Sequence, residues 1–270
     1  MRFNRNRCSA LVRHFWIQVA IALSGHFEHI SGFWRFFFWL PRALGIVFRT
    51  QLRKRRPSSV SGAEALSSKE FQVGGIPVTY INLARRVDRR LETEKELQAI
   101  GLRNLRRFSA IESSDGPLGC ARSHAAVLRE TNSSSYPLLV CEDDIDFLAD
   151  SNRLSKVIIE FLANSELDVL CLAYRLRGPK VKVSSELAIA NNVQTTACYV
   201  VKVSAAQALM RSFQESASLL SQGVPAAKAA IDIHWKKYQA RELVFCVPTP
   251  PVARQRVSYS DIAGKVKDYG

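Results

Sequence analysis

Short runs that are apolar almost throughout constrain this chain more than any other feature. Leu138–Cys141, Leu167–Leu172, Cys198–Val203 and Leu243–Val247, broken only by Asp168 and Lys202, are too short for helices and show no polar alternation. A strand apolar on both sides must be covered on both sides, which is the pattern of a mostly parallel sheet between two helical layers. Helix-patterned segments fall between these runs. Asp88–Ile100 ends at Gly101, Cys120–Glu130 carries Ala121, His124, Ala125 and Leu128 on one stripe, Lys156–Leu162 follows, and Ser204–Phe213 reads as capped by Ser204. Pro77–Leu83 and Arg107–Ile111 add strands at the front. The expectation is an α/β fold in one domain over 76–270, with a Ser-, Gly- and Ala-rich linker over 57–75. No glycine-rich phosphate loop is present.

Residues 1–56 form a different kind of segment. Of 38 Lys+Arg in the chain, eleven lie there, against one acid, Glu28, of 24 Asp+Glu. A nucleic-acid domain places its basic excess on the folded body, so no nucleic acid is expected as a partner. The aromatic-rich runs Phe15–Leu23 and Phe36–Phe48 are shorter than the about 20 residues a membrane span needs. They fit an interfacial segment, drawn with Arg53–Arg56 to anionic lipid on the cytoplasmic face of a membrane. A secretory signal with Phe15–Leu23 as its apolar core, or a start-site artefact, are the other readings. The six cysteines include no C-x-x-C pair. Cys141, Cys171, Cys198 and Cys246 sit in strand-like runs, where a thiol behaves as a small hydrophobe.

The sharpest chemical feature is Glu142-Asp143-Asp144, directly after an apolar strand. In open α/β sheets ligands bind beyond the carboxyl ends of strands. Three adjacent carboxylates repel unless a cation offsets them, and oxygen-only ligation without nearby His or Cys suits Mg²⁺ or Mn²⁺. A solvated acidic loop, or acids at the start of a helix from Ile145, would read the same way. Asn82, Arg85, Arg86, Asp88, Arg89 and Arg90 follow the first strand, where arginines can take diphosphate oxygens bidentately, or simply form a solvated helix face. Gly116 and Gly119 turn the chain into a helix that carries His124, a residue type more often a bonded core group than a catalyst.

These elements, in order, resemble glycosyltransferase family 25. The resemblance rests on Ile81-Asn82-Leu83 with Asp88-Arg89-Arg90, Arg107 to Ile111, Gly119-Cys120 with Ser123-His124, and Glu142-Asp143-Asp144. Weaker echoes follow in Ala197 to Val200, Ile231-Asp232, Gln255 and Ser260 to Ile262. It spans about residues 76–262. It implies a GT-A-like nucleotide-sugar fold and inverting transfer of a hexose, often galactose, from a UDP-sugar to a lipopolysaccharide or other glycan, including a lipid-linked oligosaccharide acceptor. On that pattern Glu142 and Asp144 are metal ligands for Mn²⁺ or Mg²⁺, and Asn82, Arg85, Arg89, His124 and Asp143 bind substrate. Asp232 is the candidate general base. A non-catalytic nucleotide-sugar or glycan-binding protein with the same fold is the alternative.

Overall fold

The computed structural model describes residues 39–48, 50, 73–131, 137–260 and 265–267. The apolar run Phe15–Leu23, the basic cluster Arg53–Arg56, the signal reading and most of the linker lie outside the described residues. Among the described residues, no helix is long and apolar enough to cross a membrane.

Among the described residues, ten strands form one sheet. In chain order they are β1 Val78–Asn82, β2 Leu105–Ser109, β3 Leu138–Glu142, β4 Ile145–Phe147, β5 Val169–Leu176, β6 Lys180–Lys182, β7 Leu187–Ala190, β8 Val193–Val201, β9 Phe245–Pro248 and β10 Ala253–Gln255. The main path runs β2-β1-β3-β8-β5-β9-β7-β6. β1 pairs parallel with both β2 and β3, and β5 pairs parallel with β9 and β10. β8 is wedged antiparallel between β3 and β5, and β7 runs against β6 and β9. The mostly parallel pairing that the apolar runs suggest holds for β2-β1-β3 and for β5 with β9 and β10, while β8 and β7 run against their neighbours and make the sheet mixed. An antiparallel strand buried on both faces carries the same continuous apolar signal as a parallel one. Ser258–Ser260 and Lys265–Lys267 form a separate antiparallel pair.

Both faces are covered, as the strand composition requires. One face packs helix α1 Val87–Ala99, helix α3 Ser151–Ala163 and the helical residues 39–48 against Val78, Tyr80, Leu139 and Cys141. The other packs α2 Gly116–Thr131 and α4 Val203–Ser221 against Ile81, Leu138 and Val140. Alternate strand residues thus point into two separate cores. In α3, Leu154, Val157, Ile158 and Phe161 are fully buried, each contributing about 1.5–3 kcal/mol. Its start is fixed by Asp150, which accepts from the Arg153 amide at 2.8 Å. Gly101 ends α1 with φ +89°, the left-handed conformation that favours glycine.

Two local expectations change. The fourth helix begins at Val203 with Lys202 at its cap position and no side-chain cap bond, so Ser204 lies inside the first turn. Within the run Phe36–Phe48, Trp39, Ala43 and Ile46 are buried in the core beside α3, and Arg42 donates to the Glu242 carbonyl at 2.7 Å. These side chains face protein rather than a lipid surface.

Short helices α5 Ala226–Ala229, α6 Ile231–His234 and α7 Lys236–Arg241 close the second face. Here His234 is buried, with Nδ1 3.2 Å from Ser212 Oγ and Nε2 3.5 Å from Glu215 Oε2. Burial first, then the Lys237 charge, lowers its pKa below the ordinary value, against the pull of Glu215. A group whose folded value is depressed contributes stability that is present above its unfolded value and lost as pH falls through the folded one. His234→Gln removes that titration. Its melting temperature is expected to drop less than the wild type's between about pH 8 and about pH 5, in calorimetric scans. An equal drop would show that His234 carries no share of the acid loss.

Candidate active site

The chain reverses direction of travel across the sheet at β1, which lies between β2 on one side and β3 on the other. Such a switch point leaves a crevice beyond the carboxyl ends of the strands. A cavity of about 170 Å³ sits there. Its walls are Ile81 and Leu83 at the end of β1, Ala110 to Glu112 after β2, Glu142 to Asp144 at the end of β3, and the start of α2. Gly119 is required by this arrangement, because a Cβ on it would meet the Ile111 carbonyl oxygen at 2.6 Å. Ser123 locks the same junction, donating to the Gly119 carbonyl at 2.7 Å and accepting from the Ile111 amide at 2.8 Å.

The acids are neither a solvated loop nor the start of a helix. Asp143 and Asp144 are each 7% exposed, and Ile145 opens strand β4, which pairs with β10. Their counter-ion comes from α1. Arg89, itself buried, places Nη1 2.7 Å from Asp143 Oδ1 and 3.9 Å from Asp144 Oδ2. Asn82 donates to Asp143 Oδ2 at 2.7 Å and is held in turn by Arg107 Nε at 3.0 Å. Gln255 donates to Asp144 Oδ2 at 3.0 Å. Asp144 Oδ1 is buried with no hydrogen-bond partner. Burial, with the Glu142 charge second, pushes the Asp144 carboxyl up to about 7. Asp143 is also raised by burial, although Arg89 and Asn82 pull it down.

Glu142 lines the same cavity but turns away from Arg89, toward α2 and β8. Its Oε1 accepts from Thr196 Oγ1 at 2.7 Å and lies 3.4 Å from His124 Nε2. Burial pushes this carboxyl up, but the His124 and Thr196 contacts outweigh it and hold the group below its ordinary range. His124 is fully buried on α2, with Nδ1 3.1 Å from the Tyr199 hydroxyl. It lines the cavity and stacks on Tyr199, so it is at once a core residue and a site residue.

A bulge in β8 arranges the far wall. The β5–β8 register shifts around Ala173, and Thr195 takes φ +70°, an outlier for a β-branched residue that costs on the order of 1–3 kcal/mol. Its amide donates to Asp232 Oδ2 at 3.3 Å and its hydroxyl to Gln255 Oε1 at 3.2 Å. Thr196 is thereby aimed at Glu142. Bulges that re-aim side chains in this way concentrate beside active sites.

The structure brings together Asn82, Arg85, Arg89, His124, Glu142, Asp143 and Asp144 as the sequence analysis grouped them. Some of the expected roles change. Arg89 is committed to the acids instead of a ligand, while Arg85 stays at the rim, 3.0 Å from Glu112. The acids are not without His or Cys, because His124 and Cys120 flank Glu142. Asp232 is not among the cavity walls and is tied to the Thr195 amide. Arg86 and Arg90 turn outward to Asp88 and Glu94, as a solvated helix face does. Nothing in the sequence marks Thr195 or Thr196, which strand propensity alone would place anywhere, nor Tyr199 and Arg107 as supports. The i, i+4 spacing of Cys120 and His124 on one helix was the available signal for that pair.

An oxygen-only ion such as Mg²⁺ or Mn²⁺ does not suit this donor set. Asp143 is taken by Arg89 and Asn82, Asp144 offers one oxygen, and Glu142 turns to His124. Among the described residues, the group of three that converges is Cys120, His124 and Glu142, with ligand atoms all within 4.8 Å of one another.

No family model matches the chain, and no curated protein does. Among solved structures it is similar to a glycosyltransferase involved in the glycosylation of the major capsid of PBCV-1, at 11% identity and TM-score 0.42, over 64% of this chain and 80% of that one. It is also similar to the structure described as mannose-1-phosphate geranyltransferase from Thermus thermophilus, at 13% identity and TM-score 0.34, over 63% of this chain and 58% of that one. At that distance the function has to be read from the site itself.

Proposed function

We propose that this chain is an inverting glycosyltransferase that takes a hexose, galactose first among candidates, from a UDP-sugar to a glycan or lipid-linked oligosaccharide acceptor. One observation carries the reading: at the switch point of an α/β sheet, three acids, a buried arginine and a rim arginine converge on one cavity, and an acid oxygen in its wall is left without a partner. That placement supports a GT-A-like nucleotide-sugar site. The cavity is smaller than the about 300–1,000 Å³ of sites that enclose a whole drug-sized ligand. It would receive the sugar and phosphates, with the nucleoside lying outward past Arg85 and Glu112.

Within this reading Asp144 is the general base. It lines the cavity, and Oδ1 is free to take the proton of an acceptor hydroxyl as that oxygen attacks the anomeric carbon opposite the diphosphate. Gln255 and Arg89 fix the carboxylate's other oxygen. Asp232 acts one step back, holding the Thr195 kink that sets Gln255. Arg85 can exchange Glu112 for a donor phosphate, the bidentate role suited to arginine. The basic residues before Trp39 and the cluster Arg53–Arg56 support a peripheral position at the cytoplasmic face of a membrane, beside a lipid-linked acceptor.

The test is a panel of common nucleotide sugars with lipopolysaccharide-type and free oligosaccharide acceptors, each run with Mg²⁺, Mn²⁺ or Zn²⁺ and without added metal, read by release of nucleoside diphosphate. Turnover of at least one UDP-hexose is expected. Tight UDP binding without turnover across the panel would point instead to a binding protein on the same scaffold.

A further inference from the structure

We propose that Cys120, His124 and Glu142 form a transition-metal site of zinc type in the cavity floor, its fourth position open to the bound ligand. Cys120 and His124 lie four residues apart on α2 and so share one face of it, and Glu142 meets them from the end of β3. The His124 Nε2 to Glu142 Oε1 separation of 3.4 Å is the informative distance. It exceeds the about 2.7–2.9 Å of a charge-assisted N–H···O bond, and Nε2 has no hydrogen-bond partner although His124 is fully buried. Two atoms bound at about 2.0–2.1 Å to one tetrahedral zinc lie about 3.3–3.5 Å apart. The pair is spaced as if an ion sat between them.

The outer contacts fit as well. Tyr199 holds Nδ1, and Thr196 holds the Glu142 oxygen, as residues behind metal ligands do. Thiolate, imidazole and carboxylate together suit zinc or cobalt better than magnesium, and three protein ligands leave one coordination position open. On binding, the Cys120 S–H bond breaks, a metal–sulfur bond forms and the proton leaves to water. Cys120 lines the cavity and is partly exposed, whereas Cys141, Cys171, Cys198 and Cys246 are buried, so an ion has a route in.

The side-chain geometry stands without the transferase reading; only the open position's use, to take a donor phosphate oxygen, rests on it. The experiment is a Co²⁺ titration of the full chain, without nucleotide, followed by visible and near-ultraviolet absorption. One equivalent is expected to bind with a thiolate-to-cobalt charge-transfer band and tetrahedral d–d bands. Cys120→Ser should lose the charge-transfer band, His124→Ala should weaken binding by at least about tenfold, and Tyr199→Phe by about tenfold. In the unmutated chain, Zn²⁺ should slow alkylation of Cys120, read by peptide mass spectrometry, which requires no variant to fold. Absence of the charge-transfer band, its persistence in Cys120→Ser, or alkylation of Cys120 unaffected by Zn²⁺ would overturn the site. A UDP titration of the cobalt-loaded chain reads the transferase reading separately: bands present but unmoved by UDP would retain the metal site and remove its link to a donor.

Discussion

Asp144→Asn is expected to lower sugar transfer by about 10²–10⁴-fold while UDP binding and the melting temperature hold. The substitution keeps the shape of the side chain and an oxygen that can still accept from Gln255 Nε2. What it removes is a carboxylate oxygen able to take a proton, and that oxygen has no other task in the structure. Because loss of a base acts on the transition state, turnover should fall with little change in donor KM. Asp232→Asn is the control. Its carboxylate is bonded to the Thr195 amide outside the cavity wall, so its loss should be far smaller and should be accompanied by a shift in KM. If Asp232→Asn removes turnover and Asp144→Asn does not, the two acids have been assigned in the wrong order.

Arg89→Met is expected to destabilise the fold by about 3–5 kcal/mol, the range for breaking a buried ion pair from one side. In a domain of this size that corresponds to a loss on the order of 10 °C in melting temperature. The cause is specific: Asp143 would keep Asn82 but lose its cation, and Asp144 would keep Gln255 beside a second uncompensated acid. Arg89→Lys retains the charge without the planar fork and should recover only part of the loss. Pairing Arg89→Met with Asp143→Asn should recover more, since the stranded charge is then gone, and thermal melts of the four proteins form the cycle. A single Arg89→Met with unchanged stability would mean that the acids are solvated.

The layered architecture was readable because continuous apolar strands leave few other solutions. The direction of β8 was not, since burial on both faces erases the difference between parallel and antiparallel neighbours. Short elements escaped for a related reason: β4, β6, β7 and β10 have three or four residues each, too few to show a period. The acid triplet and the arginines after β1 were legible as a site because charge beside a buried strand is costly and demands compensation. The sequence suggested a metal for that role. The structure supplies Arg89, from the first turn of α1, and no spacing rule distinguishes an arginine that turns inward from Arg86 or Arg90, which turn out. Thr195 and Thr196 became visible only with the bulge, which depends on how β5 and β8 meet.

The claim beneath all of this is that the switch-point cavity grips the phosphates of an activated sugar. Isothermal titration of the full chain with UDP in zinc-supplemented buffer, beside Arg85→Ala, measures it most directly. A single site with Kd below about 1 mM is expected, weakened at least tenfold when the rim arginine is removed. Absence of binding by UDP and by every other nucleoside diphosphate tried, or equal affinity in Arg85→Ala, would contradict it.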